Sequence, residues 1–240
     1  MARLFQSIQV DVPLYHFSAI RGSLVSNWQV PMVKGHIGCL LSHMLIWSII
    51  AKKKDNHFYL ILEDDLILES DIIPGQFMQD LHKMVQEIPK SIRFVHCSRD
   101  MNKMFIKNKT ISKYNPKYKI LGMFQNKQIK KCSLLNPWST ETGAILMRPK
   151  GARKLLSYVK WALKHHKRLP FNPHVDLVLS YWPTIHFQGA MVKIFQQNTG
   201  SDSDLKMINK ESVIDKTSII YNETLFNHAA KRLTPWLTEL

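Results

Sequence analysis

The tightest constraint on this chain is a run of apolar, strand-favouring residues, FYLIL at 58–62. It ends without transition in three consecutive acids, Glu63, Asp64 and Asp65, before apolar character resumes at Leu66. An unbroken apolar run of this length reads as a buried strand. Three carboxylates at the tip of such a strand repel one another and favour protonation unless a counter-charge stands beside them. In an extended backbone Glu63 and Asp65 project to one side and Asp64 to the other, so two carboxylates could share one cation. Hard oxygen ligands of this kind, completed by phosphate oxygens and water, suit Mg2+ or Mn2+. The triplet also reads as a solvated acidic turn, and the local pattern leaves both readings open.

The flanking segments fix the fold class. Ile37, Leu40, Leu41, Met44 and Trp47 recur at helical spacing, and Lys52, Lys53 and Lys54 follow where the helix dipole is negative. A second helix is predicted from Phe77, Leu81, Met84, Val85 and Ile88, starting near Asp71 or Pro74 and stopped by Pro89. Residues 92–97 and 143–147 read as further short strands. After Pro149 a helix turns Ala152, Leu155, Leu156, Val159 and Leu163 inward, with Arg153, Lys154, Lys160, Lys164, Lys167 and Arg168 outward. This alternation predicts an α/β fold with a mixed, mostly parallel sheet covered by helices. Residues 101–140 hold nine lysines and no acid and lose all periodicity, so a basic, partly irregular insertion is expected there. With neither repeat nor linker, residues 1–240 read as one domain with an extension from about 205.

Composition narrows the class of function. With 45% hydrophobic and 21% charged residues the chain can bury a core and is not a disordered tail. A formal charge of +15 draws phosphates, whether in nucleic acid, an anionic membrane or a phosphorylated ligand, without choosing among them. Cys39, Cys97 and Cys132 form no CxxC pair, which argues against a disulfide framework or zinc site and for a reducing compartment. The apolar stretch 40–51 is interrupted by Ser42, His43 and Ser48 and is shorter than the roughly 20 residues of a membrane span. No spanning segment or signal peptide is expected, and the glycosylation triplets at Asn108 and Asn222 would need a secretory route.

Several side-chain groups invite chemistry. Cys39, Ser42 and His43 share one helix face, and a hydrogen-bonded trio supporting a ligand loop fits them better than a cysteine nucleophile. His165 and His166, among lysines, read as solvated surface. Phe105, Tyr114, Tyr118 and Phe124 interleave with lysines as in single-strand nucleic-acid binders, yet no RNA or DNA recognition motif accompanies them. The basic helix face at 151–169, with Trp161, equally fits anionic headgroups.

Taken together, GHIGCLLSH at 35–43, Trp47 and LILEDD at 60–65 resemble glycosyltransferase family 25, which includes bacterial lipooligosaccharide galactosyl- and glucosyltransferases and collagen galactosyltransferases. Collinear matches strengthen the resemblance: FSAIRG at 17–22, TGAIL at 142–146, KGARKLL at 150–156, PHVD at 173–176, and a "Q…SD" element running from Gln197 to Ser203 and Asp204. The set covers most of the chain between Phe17 and Asp204.

The resemblance implies a GT-A-like fold in which Glu63, Asp64 and Asp65 act as the DxD-type metal motif. It implies a Mn2+ or Mg2+ cofactor and a UDP-sugar donor bound with the help of Arg21, Cys39, Ser42, His43 and Asp64. Trp138, Thr142 and Gly143 become acceptor-binding residues, and Asp176 the catalytic base, with a helix N-cap or an acceptor-binding carboxylate as its other readings. The expected reaction is inverting transfer of a hexose, first of all galactose, to a lipooligosaccharide or lipopolysaccharide hydroxyl. Expected partners are therefore a UDP-hexose, a glycolipid or oligosaccharide acceptor and an anionic membrane surface, and not nucleic acid. The expected location is the inner face of a bacterial cytoplasmic membrane, or the ER lumen in a eukaryote. Two departures stand out: the family's opening "VINL.R" strand is expected to be absent, and His36 occupies a position where the family commonly carries an acid. They keep two alternatives open, an inactive glycan-binding relative and a basic nucleic-acid-binding protein.

Overall fold

The computed structural model describes residues 8, 10, 12–22, 32–98, 120–131, 143–168, 175, 178–179, 189–197 and 220–221. In chain order the elements are β1 (Tyr15–His16), α1 (Lys34–Ala51), β2 (Tyr59–Leu62), β3 (Leu66–Leu68), a 3-10 turn (Pro74–Gln76), α2 (Phe77–Glu87), β4 (Phe94–His96), β5 (Ile120–Phe124), β6 (Lys127–Lys131), β7 (Ala144–Met147), α3 (Pro149–Lys164), a 3-10 turn (His166–Arg168), β8 (Gly189–Met191), β9 (Phe195–Gln197) and β10 (Ile220–Tyr221). They divide between two compact units. The first comprises Met1–Asp11, His57–Arg148 and Leu179–Ser201; the second comprises Val12–Asn56, Pro149–Val178 and Asp202–Leu240.

The first unit is built on a six-stranded sheet in the order β2-β7-β4-β8-β6-β5. The α/β class and the mixed sheet are as expected from the sequence, but the balance of strand directions is not. Only β4 and β8 are parallel neighbours, while β2–β7, β7–β4, β8–β6 and β6–β5 are antiparallel. The helix-strand alternation does give β2 and β4 the same sense, since both run antiparallel to β7, which inserts between them. Local alternation reports the direction of successive strands; it carries no information about a later strand that enters the gap. β7 is buried along its whole length, as an interior strand of apolar residues should be.

Helix α2 forms where predicted and buries Phe77, Leu81 and Met84. Phe77 meets Phe124 of β5 and Phe195 of β9 edge to face, with centroids 5.8 Å and 5.6 Å away, so one ring joins three elements. Phe124 lies in a hairpin that composition did not reveal: within the acid-free stretch, residues 120–131 pair as β5 and β6. Gln125 and Asn126 at its tip have φ of 40° and 67°, the pair of positive values that a two-residue hairpin turn requires. Asn tolerates that region, whereas for Gln125 it is strained. The Gln125 amide compensates, its Oε1 accepting from the Ile73 backbone N–H at 2.9 Å and its Nε2 donating to the Ile73 carbonyl at 3.3 Å.

The second unit centres on α1 and α3, which pack along each other. The stripe expected on α1 is buried, and Gly38, His43, Leu45 and Ile50 widen it. By length and composition alone this 18-residue helix is apolar enough to cross a membrane, and half of it is buried inside the protein, as in a core helix. Gly22 and Gly38 let the segment before the helix press against it: a Cβ on Gly22 would strike the Lys34 carbonyl, and one on Gly38 the Ile20 carbonyl. The C-terminus of α1 is held by α3, where Arg153 Nη1 donates to the carbonyls of Ala51 at 2.6 Å and Lys53 at 3.4 Å. β1 and β10 add a short parallel pair.

Removing the shared ring tests this core. Phe77→Ala and Phe124→Ala are each expected to cost about 3–5 kcal/mol. The double variant should cost less than the sum, because the two rings are in contact. Urea denaturation of the four proteins measures both quantities.

Candidate active site

Because β2, β4 and β8 run in one sense and β7 in the other, the ends of the first three and the start of the fourth share one edge of the sheet. This is the edge at which open α/β sheets bind ligands. The Glu63 N–H donates to the Gly143 carbonyl at 2.8 Å, extending the β2–β7 ladder one step past the Leu62–Ala144 pair. The Cys97 N–H donates to the Ala144 carbonyl at 2.9 Å, and the Ser98 hydroxyl accepts from the Ala144 N–H at 3.4 Å. Glu63, Ser98 and Gly143 are thus set side by side by backbone pairing.

Past Glu63 the expected extended backbone gives way to a turn made by Asp64 and Asp65, which redirects the chain into β3 and its antiparallel partner β9. Burial separates the three acids: Asp64 is exposed, whereas Glu63 and Asp65 are half-buried. Gly143 makes room for the turn, since a Cβ there would lie 2.6 Å from Cδ2 of the buried Leu66. This packing role accounts for the glycine without reference to an acceptor.

Asp65 carries the electrostatic load of the site. Its Oδ1 is buried and has no hydrogen-bond partner among the described residues. Burial, then the neighbouring charges of Glu63 and Asp64, push its carboxyl above the usual aspartate value of 3.8. A buried carboxylate oxygen left without a donor is costly, and two further carboxylates next to it in sequence make a cation the partner that relieves the cost. Carboxylate oxygens are the hard ligands that Mg2+ or Mn2+ prefers. The acids that follow are matched differently: Glu69 pairs with Lys193 at 2.8 Å and Asp71 with Lys127 at 2.7 Å, and the latter contact holds the Asp71 carboxyl below its ordinary range. Cys97, at the same edge, is no nucleophile, because complete burial pushes its thiol up to about 12.

Ser98 and Lys193 also stand at this edge, bridged to each other, and no motif marks them. Ser98 had a readable signal, since it directly follows the strand-like run at 92–97. Lys193 had none, because β8 is only three residues long.

The remaining predicted residues in the second unit have assigned places. Ser42 is structural: its hydroxyl accepts from the Ile20 N–H and donates to the Gly38 carbonyl, both at 2.8 Å, which ties the segment carrying Arg21 to α1. Arg21 is exposed and Cys39 half-buried, while His43 is buried with its ring 5.7 Å from that of Trp47. His165 and His166 turn Nδ1 to the carbonyls of Trp161 and Leu163 at the end of α3, as expected of surface residues that cap a helix. Trp138, Thr142 and Asp176 lie outside the described residues.

Residues 7–168 match the family described as "Glycosyltransferase family 25 (LPS biosynthesis protein)", which is well over half of the 240 residues. No curated protein matches the chain.

The raised Asp65 carboxyl sets a sign for pH dependence. The folded protein holds this proton more tightly than the unfolded chain, so Asp65 lowers stability as pH rises through the window above 3.8. Asp65→Asn is expected to remove that decline, and Mn2+ to raise the melting temperature of the parent protein at neutral pH but not that of the variant. Thermal melts from about pH 4 to about pH 7, with and without Mn2+, check both expectations.

Proposed function

The chain belongs to glycosyltransferase family 25, and on that premise we propose that it transfers a hexose, galactose before glucose, from a UDP-sugar to a hydroxyl of a lipooligosaccharide or lipopolysaccharide acceptor. Membership supports a nucleotide-sugar donor and a place in lipopolysaccharide biosynthesis. The observation that carries the proposed metal dependence is the buried Oδ1 of Asp65, without a hydrogen-bond partner among the described residues, next to Glu63 and Asp64 in sequence.

In this reading a Mn2+ or Mg2+ ion held by Glu63, Asp64 and Asp65 supplies positive charge against the donor diphosphate. Asp65 would contribute a half-buried carboxylate and Asp64 an exposed one. Arg21 adds a guanidinium suited to phosphate oxygens, with Cys39 and His43 beside it in the family pattern and Ser42 fixing the backbone that presents it. At the acceptor, Asp176 takes the hydroxyl proton. The acceptor oxygen then bonds to the anomeric carbon, inverting it, as the bond to the phosphate oxygen breaks and UDP leaves with the electron pair. Trp138, Thr142 and Gly143 are the proposed acceptor contacts. A lipid-linked acceptor would bring the protein to the inner face of the cytoplasmic membrane.

UDP release from UDP-galactose and UDP-glucose in the presence of Mn2+, with and without a lipooligosaccharide acceptor, tests the reading. Asp65→Ala is expected to lower kcat/KM by more than about a hundredfold with little loss of stability, because it removes a ligand rather than a packed side chain. Undiminished Mn2+-dependent turnover in this variant would contradict the assignment. Absence of turnover in the parent protein with either donor would favour an inactive, glycan-binding relative.

A further inference from the structure

We propose that the outward face of α3 docks on an anionic lipid membrane, with Trp161 as its apolar anchor and Lys154 and Lys164 among its headgroup contacts. The inference takes as given the reading above, an enzyme acting on lipid-linked glycans, and names the surface that would bring it to its acceptor.

Helix α3 has two faces. Ala152, Leu155, Leu156, Val159, Ala162 and Leu163 are buried, which leaves the opposite side to solvent. From Pro149 to Lys164 the helix contains no acid, and Lys150, Lys154, Lys160 and Lys164 are all exposed. Arg153 does not belong to this surface, because its guanidinium caps α1. Along the exposed side lies a line of three rings. Tyr158 stacks on Trp161 with centroids 5.9 Å apart and planes 23° from parallel, and Trp161 stacks on His165 at 5.1 Å and 25°. Trp161 is nevertheless 48% exposed, a large apolar surface to leave in water on an otherwise polar face.

An apolar ring flanked by lysines on one side of a helix is the layout of an interfacial segment. The indole sits at headgroup depth, and the lysine stems lie along the apolar zone with their ammonium groups among anionic phosphates. Charge selects among the possible occupants. A second copy of this chain would set like charges against each other. Single-stranded nucleic acid would complement the charge, but it binds by stacking bases on open rings, and here Trp161 already stacks with Tyr158 and His165. Trp161 within that stack remains 48% exposed, which suits insertion among lipid headgroups.

The test uses the full chain and two kinds of vesicle, phosphatidylglycerol mixed with phosphatidylethanolamine, and phosphatidylcholine alone. Co-sedimentation is expected with the first and not the second, and is expected to weaken with salt. Trp161→Ala should weaken it severalfold, and Lys154→Glu with Lys164→Glu by more than about twentyfold. The thermal shift that Mn2+ and UDP-galactose produce should be unchanged in both variants, since neither touches the acidic edge. Parent-like vesicle binding by the variants would overturn the inference, as would failure of the parent to bind anionic vesicles. So would variants that keep vesicle binding but lose affinity for a single-stranded oligonucleotide. Vesicle binding through this face without any Mn2+ and UDP-galactose shift would leave the docking surface standing and remove the enzymatic reading.

Discussion

Carboxylates crowded at the end of a strand, with one of them half-buried, cost electrostatic free energy, and the first unit is arranged so that this cost is kept rather than relieved. β2 ends among buried neighbours, Glu63 is tied to Gly143 by a backbone hydrogen bond, and the turn that follows tucks one oxygen of Asp65 out of reach of water and of any donor among the described residues. A chain under no functional demand would relieve such a position with a lysine, as it does at Glu69 and Asp71 a few residues later. Keeping a half-buried carboxylate beside two others makes sense if an ion completes it. The surrounding scaffold is comparatively ordinary: apolar strands, an amphipathic helix and a knot of three phenylalanines that fixes the hairpin and β9 to α2.

Much of this was legible in the residues. The apolar run at 58–62 announced a strand, although among the described strands β2 takes one edge of the six-stranded sheet with only Ile61 fully buried, and the spacing of Phe77, Leu81 and Met84 announced α2, because burial on one face imposes a period that the sequence must show. The acidic triplet was visible for the opposite reason: charges do not end a core strand by chance composition alone. What stayed hidden was set by long-range pairing. Nothing local indicated that β7 would slip between β2 and β4, or that lysine-rich residues 120–131 would add two strands to the sheet. In the hairpin the periodic signal is diluted, since among the described residues Phe124 and Ile129 are buried while Lys127, Lys130 and Lys131 of β6 are half-buried despite their charge. Its turn also lacks the glycine that usually betrays one, substituting a side-chain clamp from Gln125.

The site itself divides along the same line. Glu63, Asp64 and Asp65 could be read because they are contiguous, whereas Ser98 and Lys193 reach the same edge only through pairing between strands distant in sequence. Ser42 shows how a residue picked out for its company can have a structural role: its hydroxyl accepts from one backbone group and donates to another, fastening the segment before α1 to the helix. Cys97 makes the converse point, a potential nucleophile silenced by burial.

The central claim is that the acids ending β2 hold a divalent ion at the carboxyl edge of the sheet. Anomalous difference density collected at the manganese absorption edge, from crystals grown with Mn2+ and UDP-galactose, measures this directly. The account expects a peak about 2.0–2.3 Å from an Asp65 carboxylate oxygen, with Glu63 or Asp64 in the same coordination shell. Manganese bound elsewhere on the protein, with the Asp65 oxygen still bare, would contradict it.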